Sequence, residues 1–123
     1  MEKIFKQGTE NTPEIKFDPV SGELEMSGKS IPEDSMGFYS PIIDWLKEYV
    51  KRPADKTTFS FKLEYFNTSS SKLLLDVFNI LEEISDSLSL NWYCDESDED
   101  LEETANDFDE VLNYDIKVIK FKR

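Results

Sequence analysis

The 123-residue chain carries 14 basic and 27 acidic side chains, a formal net charge of −13, and no histidine. That balance excludes the counterion-release binding of a nucleic-acid backbone, which needs clustered Lys and Arg, and it argues equally against docking on an anionic membrane surface. With 38% hydrophobic residues, among them nine Phe, five Tyr and two Trp, the chain is too apolar for an acidic disordered segment, and its length suits one domain over residues 1–123.

Glu14–Asp18 and residues 23–27 each alternate polar and apolar side chains around Pro19-Val20-Ser21-Gly22, the pattern of a β-hairpin with one buried face. Ser30-Ile31-Pro32-Glu33-Asp34-Ser35 reads as a loop. Ser40-Pro41 then looks like an N-cap followed by proline at the first helical position. Ile42, Trp45, Leu46 and Tyr49 continue at helical spacing until Lys51-Arg52-Pro53 ends the helix. Thr57–Phe66 is the strongest strand signal, with Phe59, Phe61, Leu63 and Tyr65 expected on one face. After Asn67-Thr68-Ser69-Ser70-Ser71, the spacing of Leu74, Val77, Phe78, Leu81, Ile84 and Leu88 predicts a second helix to about residue 87. Residues 88–94 form a further strand, Leu101, Ala105, Phe108, Val111 and Leu112 a third helix, and residues 115–122 a last alternating strand. The expected order is β-β-α-β-α-β-α-β, an α/β (α+β) fold with helices packed on a mixed sheet.

Absences narrow the chemistry. Without histidine there is no Ser-His-Asp or Cys-His system and no His-containing metal site, and the single Cys94 allows neither an intrachain disulfide nor a cysteine-based zinc site. Glycines at 8, 22, 28 and 37 are too scattered for a phosphate loop. The most apolar stretch, residues 73–81, is interrupted by Asp76 and falls far short of the roughly 20 residues that span a bilayer. The N-terminus shows no apolar signal-type run, and one cysteine suits a reducing compartment. A cytoplasmic protein with no membrane insertion, no nucleic-acid partner, no catalytic residues and no cofactor is expected.

Residues 95–110 hold ten acids and no base, which leaves only −3 for the rest of the chain. Aligned on Asp95, a calcium loop requires Gly sixth and Glu twelfth, where the sequence has Asp100 and Asn106. The segment reads instead as a solvated loop and the start of an acidic helix, and no metal site is expected. Trp45 and Trp92 lie on apolar patterns and are read as core or near-core, Cys94 as a small side chain at the sheet edge. Lys117, Lys120, Lys122 and Arg123 give the last strand a basic edge that either protects it from pairing or faces the acids of the third helix.

The segment that invites a functional reading is Asn67-Thr68-Ser69-Ser70-Ser71-Lys72, between the most hydrophobic strand and the most hydrophobic helix. Function in open α/β sheets collects at the carboxyl ends of strands, and a helix N-terminus favours an anion. Consecutive hydroxyls there form a nucleophilic or phosphate-accepting surface. Ordinary N-capping accounts for the same residues. Lys72, in the first helical turn, stands at the wrong end for a cation: an anion held near the helix start accounts for it, and so does a solvated lysine.

Gly8-Thr9 with Thr12-Pro13-Glu14-Ile15, Gly22-Glu23-Leu24-Glu25-Met26-Ser27-Gly28-Lys29-Ser30, Pro32-Glu33-Asp34-Ser35, Ile43-Asp44-Trp45, Leu63-Glu64-Tyr65-Phe66-Asn67-Thr68-Ser69-Ser70, Leu81-Glu82-Glu83 and Leu90-Asn91-Trp92-Tyr93-Cys94-Asp95 occur in that order. Together they resemble the SiaC family of bacterial regulatory phosphoproteins over nearly the whole chain. Departures at Ile31, Ser71 and Cys94 leave the central hydroxyl in place. The resemblance implies a STAS-like fold and a protein that is not an enzyme. It implies phosphorylation at Thr68 by a partner Ser/Thr kinase, reversal by a PP2C-type phosphatase, and an unphosphorylated form that binds and activates a diguanylate cyclase, raising cyclic di-GMP in biofilm and aggregation control. Asn67, Ser69, Ser70 and Lys72 are then expected on the partner-binding surface around Thr68. The alternative that the resemblance leaves open is a STAS-like antagonist of an anti-sigma factor, also switched by a phosphorylated hydroxyl.

Overall fold

The alternating segments build one mixed sheet in the structure, a computed structural model describing residues 1–122. Among these residues six strands lie in the order of the chain. β1 (Ile4–Lys6), β2 (Glu14–Asp18) and β3 (Glu23–Ser30) run antiparallel, and β4 (Thr57–Phe66), β5 (Leu88–Asp95) and β6 (Ile116–Phe121) run parallel to β3. Each parallel step needs a crossover, supplied in turn by α1 (Ser35–Tyr49), α2 (Thr68–Leu81) and α3 (Glu99–Val111).

All three helices cover the same face. Phe17 and Phe59 meet Trp45 and Phe78 respectively, and Trp92 meets Phe108, with ring centroids 5.3, 6.0 and 5.7 Å apart. Phe61 stacks on Trp92 at 4.2 Å in the centre. Phe17, Phe59, Phe61, Phe78 and Trp92 are fully buried, and each such ring contributes about 1.5–3 kcal/mol by leaving water. The opposite face carries Glu25, Ser60, Lys62 and Asn91, with Lys62 Nζ 2.7 Å from Glu25 Oε1.

Several expectations are corrected. β1 lies outside the predicted pattern: three residues are too short for alternation to show. α1 begins at Ser35, not after Ser40. Asp34 is its N-cap, with Oδ1 accepting from Gly37 N at 3.0 Å, and Pro41 sits inside the helix. An interior proline costs about 3 kcal/mol, offset here by the added turns, which bury Tyr39 and Ser35. Tyr65 does not share the face of Phe59, Phe61 and Leu63. The β3–β4 register shifts between Gly28 and Lys29, so Leu63 opposes Gly28 but Tyr65 opposes Lys29. This irregularity turns the side chains over: Tyr65 is 57% exposed, while Phe66 packs against Phe61 and Trp92. Gly28 has φ +103° at this point.

α2 stops at Leu81 and a 3-10 segment, Glu82–Ser87, replaces its predicted last turns, with Ile84 at φ −115°, ψ 23°. Val111, expected in the core, is exposed, and Leu112 takes the buried position just beyond the helix. Cys94 is buried on an interior strand, not at the sheet edge. Trp92 is fully buried, and Trp45 is partly buried with Nε1 donating to the Glu2 carbonyl at 2.8 Å. Lys120 Nζ meets Glu102 Oε2 at 2.9 Å, joining the basic edge strand to the acidic helix. Arg123, the last of the basic run, lies outside the described residues.

Candidate functional site

β4 delivers the Asn67–Lys72 segment to the carboxyl end of the sheet, where Asn67 N donates to the Ser30 carbonyl at 3.1 Å. Asn67 is the N-cap of α2: its Oδ1 accepts from Ser70 N at 2.9 Å and from Ser69 Oγ at 3.2 Å. The cap leaves Thr68 as the first helical residue, and the hydroxyls that follow turn away from one another around the helix.

Their fates differ. Ser70 is fully buried. Its Oγ donates to the Ser30 carbonyl at 3.0 Å and accepts from Ser30 Oγ at 2.9 Å. Ser30 Oγ also lies 2.5 Å from Tyr39 Oη. Because the Ser30 proton is used toward Ser70, Tyr39 is the donor, and a closed chain of three buried hydroxyls runs from α1 through β3 to α2. Burial pushes the Tyr39 phenol up to about 12. Ser70 therefore does not belong to the partner-facing surface expected of it: the helical turn points it at the core, where it joins the helices. Ser69 Oγ lies 2.7 Å from Ser35 Oγ, linking the first turns of α2 and α1. Thr68 is exposed, and among the described residues its hydroxyl has no side-chain hydrogen bond. Lys72, one turn on, shares its face and is also exposed.

Thr68, Ser69 and Lys72 line a groove of about 530 Å³ together with Ser35, Met36, Leu73 and Asp76. Met36 is 63% exposed. Ser35 and Met36 lie in the first turn of α1, outside the helix expected from Ser40-Pro41; Asp34, a favoured N-cap residue, is the sequence signal that marks this turn. The Gly8-Thr9…Thr12 opening has a structural role beside the site. Thr9 Oγ1 accepts from Asn11 N and Thr12 N, and the Asn11 carbonyl accepts from Ile31 N at 2.8 Å, which fastens this loop to the end of β3.

A second cavity of about 600 Å³ opens where β4 and β5 part company after Phe61 and Trp92. Cys94 lines it, and burial pushes its thiol up from the ordinary value, the opposite of what a reactive cysteine requires. Among the described residues no cluster of three His, Cys, Asp or Glu is placed to hold a metal, and no helix is long and apolar enough to cross a membrane.

Comparison with known proteins agrees with this geometry over the full fold. A protein of Pseudomonas aeruginosa (strain UCBPP-PA14) is 32% identical over 117 residues, 93% of each chain. The structure of SiaC of Pseudomonas aeruginosa superposes with a TM-score of 0.87 at 30% identity, covering 98% of this chain and 100% of that one. A crystal structure of the diguanylate cyclase SiaD in complex with its activator SiaC, from the same organism, matches with a TM-score of 0.89 at 30% identity over 96% of this chain and 99% of that one. The family model described as SiaC family regulatory phosphoprotein matches residues 6–121, and the chain belongs to that family.

Proposed function

We propose that this chain is a phosphorylation-controlled activator of a diguanylate cyclase, with Thr68 as the phosphoacceptor of a Ser/Thr kinase and a PP2C-type phosphatase restoring the active form. The observation that carries the reading is the division of labour at the start of α2: Ser70 is buried and bonded to Ser30, Ser69 is exposed but bonded to Ser35 and Asn67, and Thr68 is exposed on the same groove with no side-chain hydrogen bond among the described residues. A relative of the same fold that is a cyclase activator supports the partner class.

Phosphorylation adds about −1.5 to −2 charge. At the first position of α2 the free N–H groups of the helix start accept that charge, so the fold persists. A docked partner must instead desolvate it or meet it with like charge, which costs several kcal/mol. The protein is treated with its cognate kinase, and thermal stability and cyclase binding are measured before and after. Unchanged stability with lost binding is expected; lost stability with unchanged affinity refutes the switch. Thr68→Ala should abolish phosphate incorporation, and persistent label assigns the acceptor elsewhere.

A further inference from the structure

We infer that the amino end of the sheet is a self-association surface: the groove at the end of α1 receives Val111 and the acids beside it from a second copy, and the second copy's groove receives the first's, in a two-fold dimer. This surface lies at the opposite end of the molecule from Thr68 and does not depend on the cyclase reading.

The topology brings two unlike patches to this end. Each parallel crossover returns the chain to the amino end of the next strand, so α1, the 3-10 segment and α3 all finish there, before β4, β5 and β6. The β2–β3 turn lies at the same end, because β3 starts there and runs parallel to β4. This turn and the last residues of α1 enclose a groove of about 720 Å³ lined by Met1, Pro19, Val20, Glu48, Lys51 and Arg52. Val20 is 84% exposed. Between residues 47 and 56 four bases, Lys47, Lys51, Arg52 and Lys56, stand against two acids. Of the four, only Lys51 has an ion-pair partner among the described residues, Glu48 at 3.0 Å.

The other patch is its complement. No base lies between residues 73 and 116. α3 finishes on Glu110 and Val111, both exposed, with Asp107 exposed one turn earlier, and Val111 is an apolar side chain left 62% open to water. Glu83, Asp86 and Asp115, exposed just before β5 and β6, carry the same sign. None of these acids has an ion-pair partner among the described residues. The two patches do not neutralise each other within one chain: β3 and β6 are three strand spacings apart, roughly 14 Å, beyond the roughly 10 Å over which exposed charges act at 0.1 M salt. A two-fold axis across this end sets each groove against the other copy's Val111, so both contacts form together and association stops at two. Val111 leaves water against Val20, and Arg52 meets Glu110. The charge of −13 on each copy repels at a distance and is overcome only where base is set against acid, which makes the contact specific, weak and salt-sensitive. The two Thr68 surfaces then face outward from opposite ends of the dimer.

Sedimentation equilibrium of the full chain between about 10 μM and about 1 mM, the range that reads a weak association, should show the mean mass rising from 14.4 kDa toward twice that value, less so at high salt. Arg52→Glu and Glu110→Lys each place like charges together twice and should each weaken dimerisation at least about tenfold. An equimolar mixture of the two variants should recover it, because in the mixed dimer one contact is the native pair and the other its charge-reversed counterpart. Thermal unfolding verifies the fold of each variant, and recovery on mixing does not arise from a misfolded one. A mass of 14.4 kDa at every concentration overturns the inference, as do folded single variants that dimerise like the parent, or a mixture that stays monomeric.

Discussion

The buried hydroxyl chain under the site makes a quantitative claim. Ser30→Ala removes its middle member. Tyr39 Oη, 2.5 Å from Ser30 Oγ on a residue that is fully buried, loses its acceptor, and Ser70 Oγ loses the donor 2.9 Å away. A buried polar group left without its partner costs about 1–3 kcal/mol. Ser70 retains its own bond to the Ser30 carbonyl, so the expected loss for Ser30→Ala is about 2 kcal/mol. Tyr39→Phe removes one donor and strands none, and should cost about 1 kcal/mol. In the double variant the phenol that Ser30→Ala stranded is absent, so the combined loss should stay near about 2 kcal/mol, a coupling of about 1 kcal/mol. Urea unfolding followed by tryptophan fluorescence gives the four free energies, with an unchanged m-value showing that the comparison is like for like. At this chain length about 2 kcal/mol corresponds to a fall in Tm of about 8 °C. Additivity within about 0.5 kcal/mol refutes the coupled chain and with it the idea that these hydroxyls hold the two helix starts in register.

The same tyrosine sets a pH window: with the folded phenol at about 12 against an ordinary 10, its stability contribution is complete below pH 10 and is lost as pH rises toward 12. By that point about 2 kcal/mol is gone, and Tyr39→Phe should make this part of the stability profile shallower without levelling it, because burial also holds the Tyr114 phenol above its ordinary value; urea titration measures the slope. Gly22→Ala should destabilise more than Gly28→Ala. Both positions have positive φ, but a Cβ at Gly22 meets the Lys56 carbonyl at 2.1 Å whereas at Gly28 nothing lies closer than 3.9 Å, so Gly28→Ala should cost only the backbone term of about 1–2 kcal/mol in the same assay. Pro41→Ala should raise Tm, because Pro41 lies inside α1 and alanine restores a helical N–H; the gain is up to about 3 kcal/mol, and a lowered Tm would show that the proline ring makes a stabilising contact.

Periodicity is strongest where burial is one-sided. Thr57, Phe59, Phe61 and Leu63 are buried in turn, so β4 is legible from its composition, and Leu74, Val77, Phe78 and Leu81 mark α2 in the same way. The misreadings arise where a local rule yields to packing. Ser40-Pro41 has the chemistry of a helix start, yet burial of Tyr39 carries α1 back to Asp34. Tyr65 continues the β4 alternation on paper, but β4 advances from Leu63 to Tyr65 while β3 advances only from Gly28 to Lys29, and this extra residue in β4 reverses it; only Gly28, on β3, hints at this. Asn67 is visible as a cap from its position alone, whereas the partnership of Ser69 with Ser35, 34 residues away, is set by the tertiary fold. The charge concentrated in residues 95–110 is legible and falls on the last residue of β5, the loop after it and α3, where Asp98, Glu99, Asp100 and Glu102 suit the helix N-terminus.

Four consecutive hydroxyls at a strand–helix junction admit either capping or switching as an explanation, and the helix makes the two compatible. A turn of 3.6 residues sends Thr68 and Lys72 outward together and Ser70 inward between them. Ser70 can then hold α2 to β3 and α1 without touching the surface that a partner meets, and Thr68 can change its charge without disturbing the bonds beneath. A phosphate on Ser70 would have to break both of its buried hydrogen bonds to Ser30, so modification there would unfold the junction. A phosphate on Thr68 sits on the exposed side of the helix start, where the free N–H groups of the first turn tolerate it, so its cost falls on a partner that docks there. The −13 charge of the chain has little bearing on this, because outside residues 95–110 only −3 remains and exposed charges more than about 10 Å away are largely screened at moderate salt.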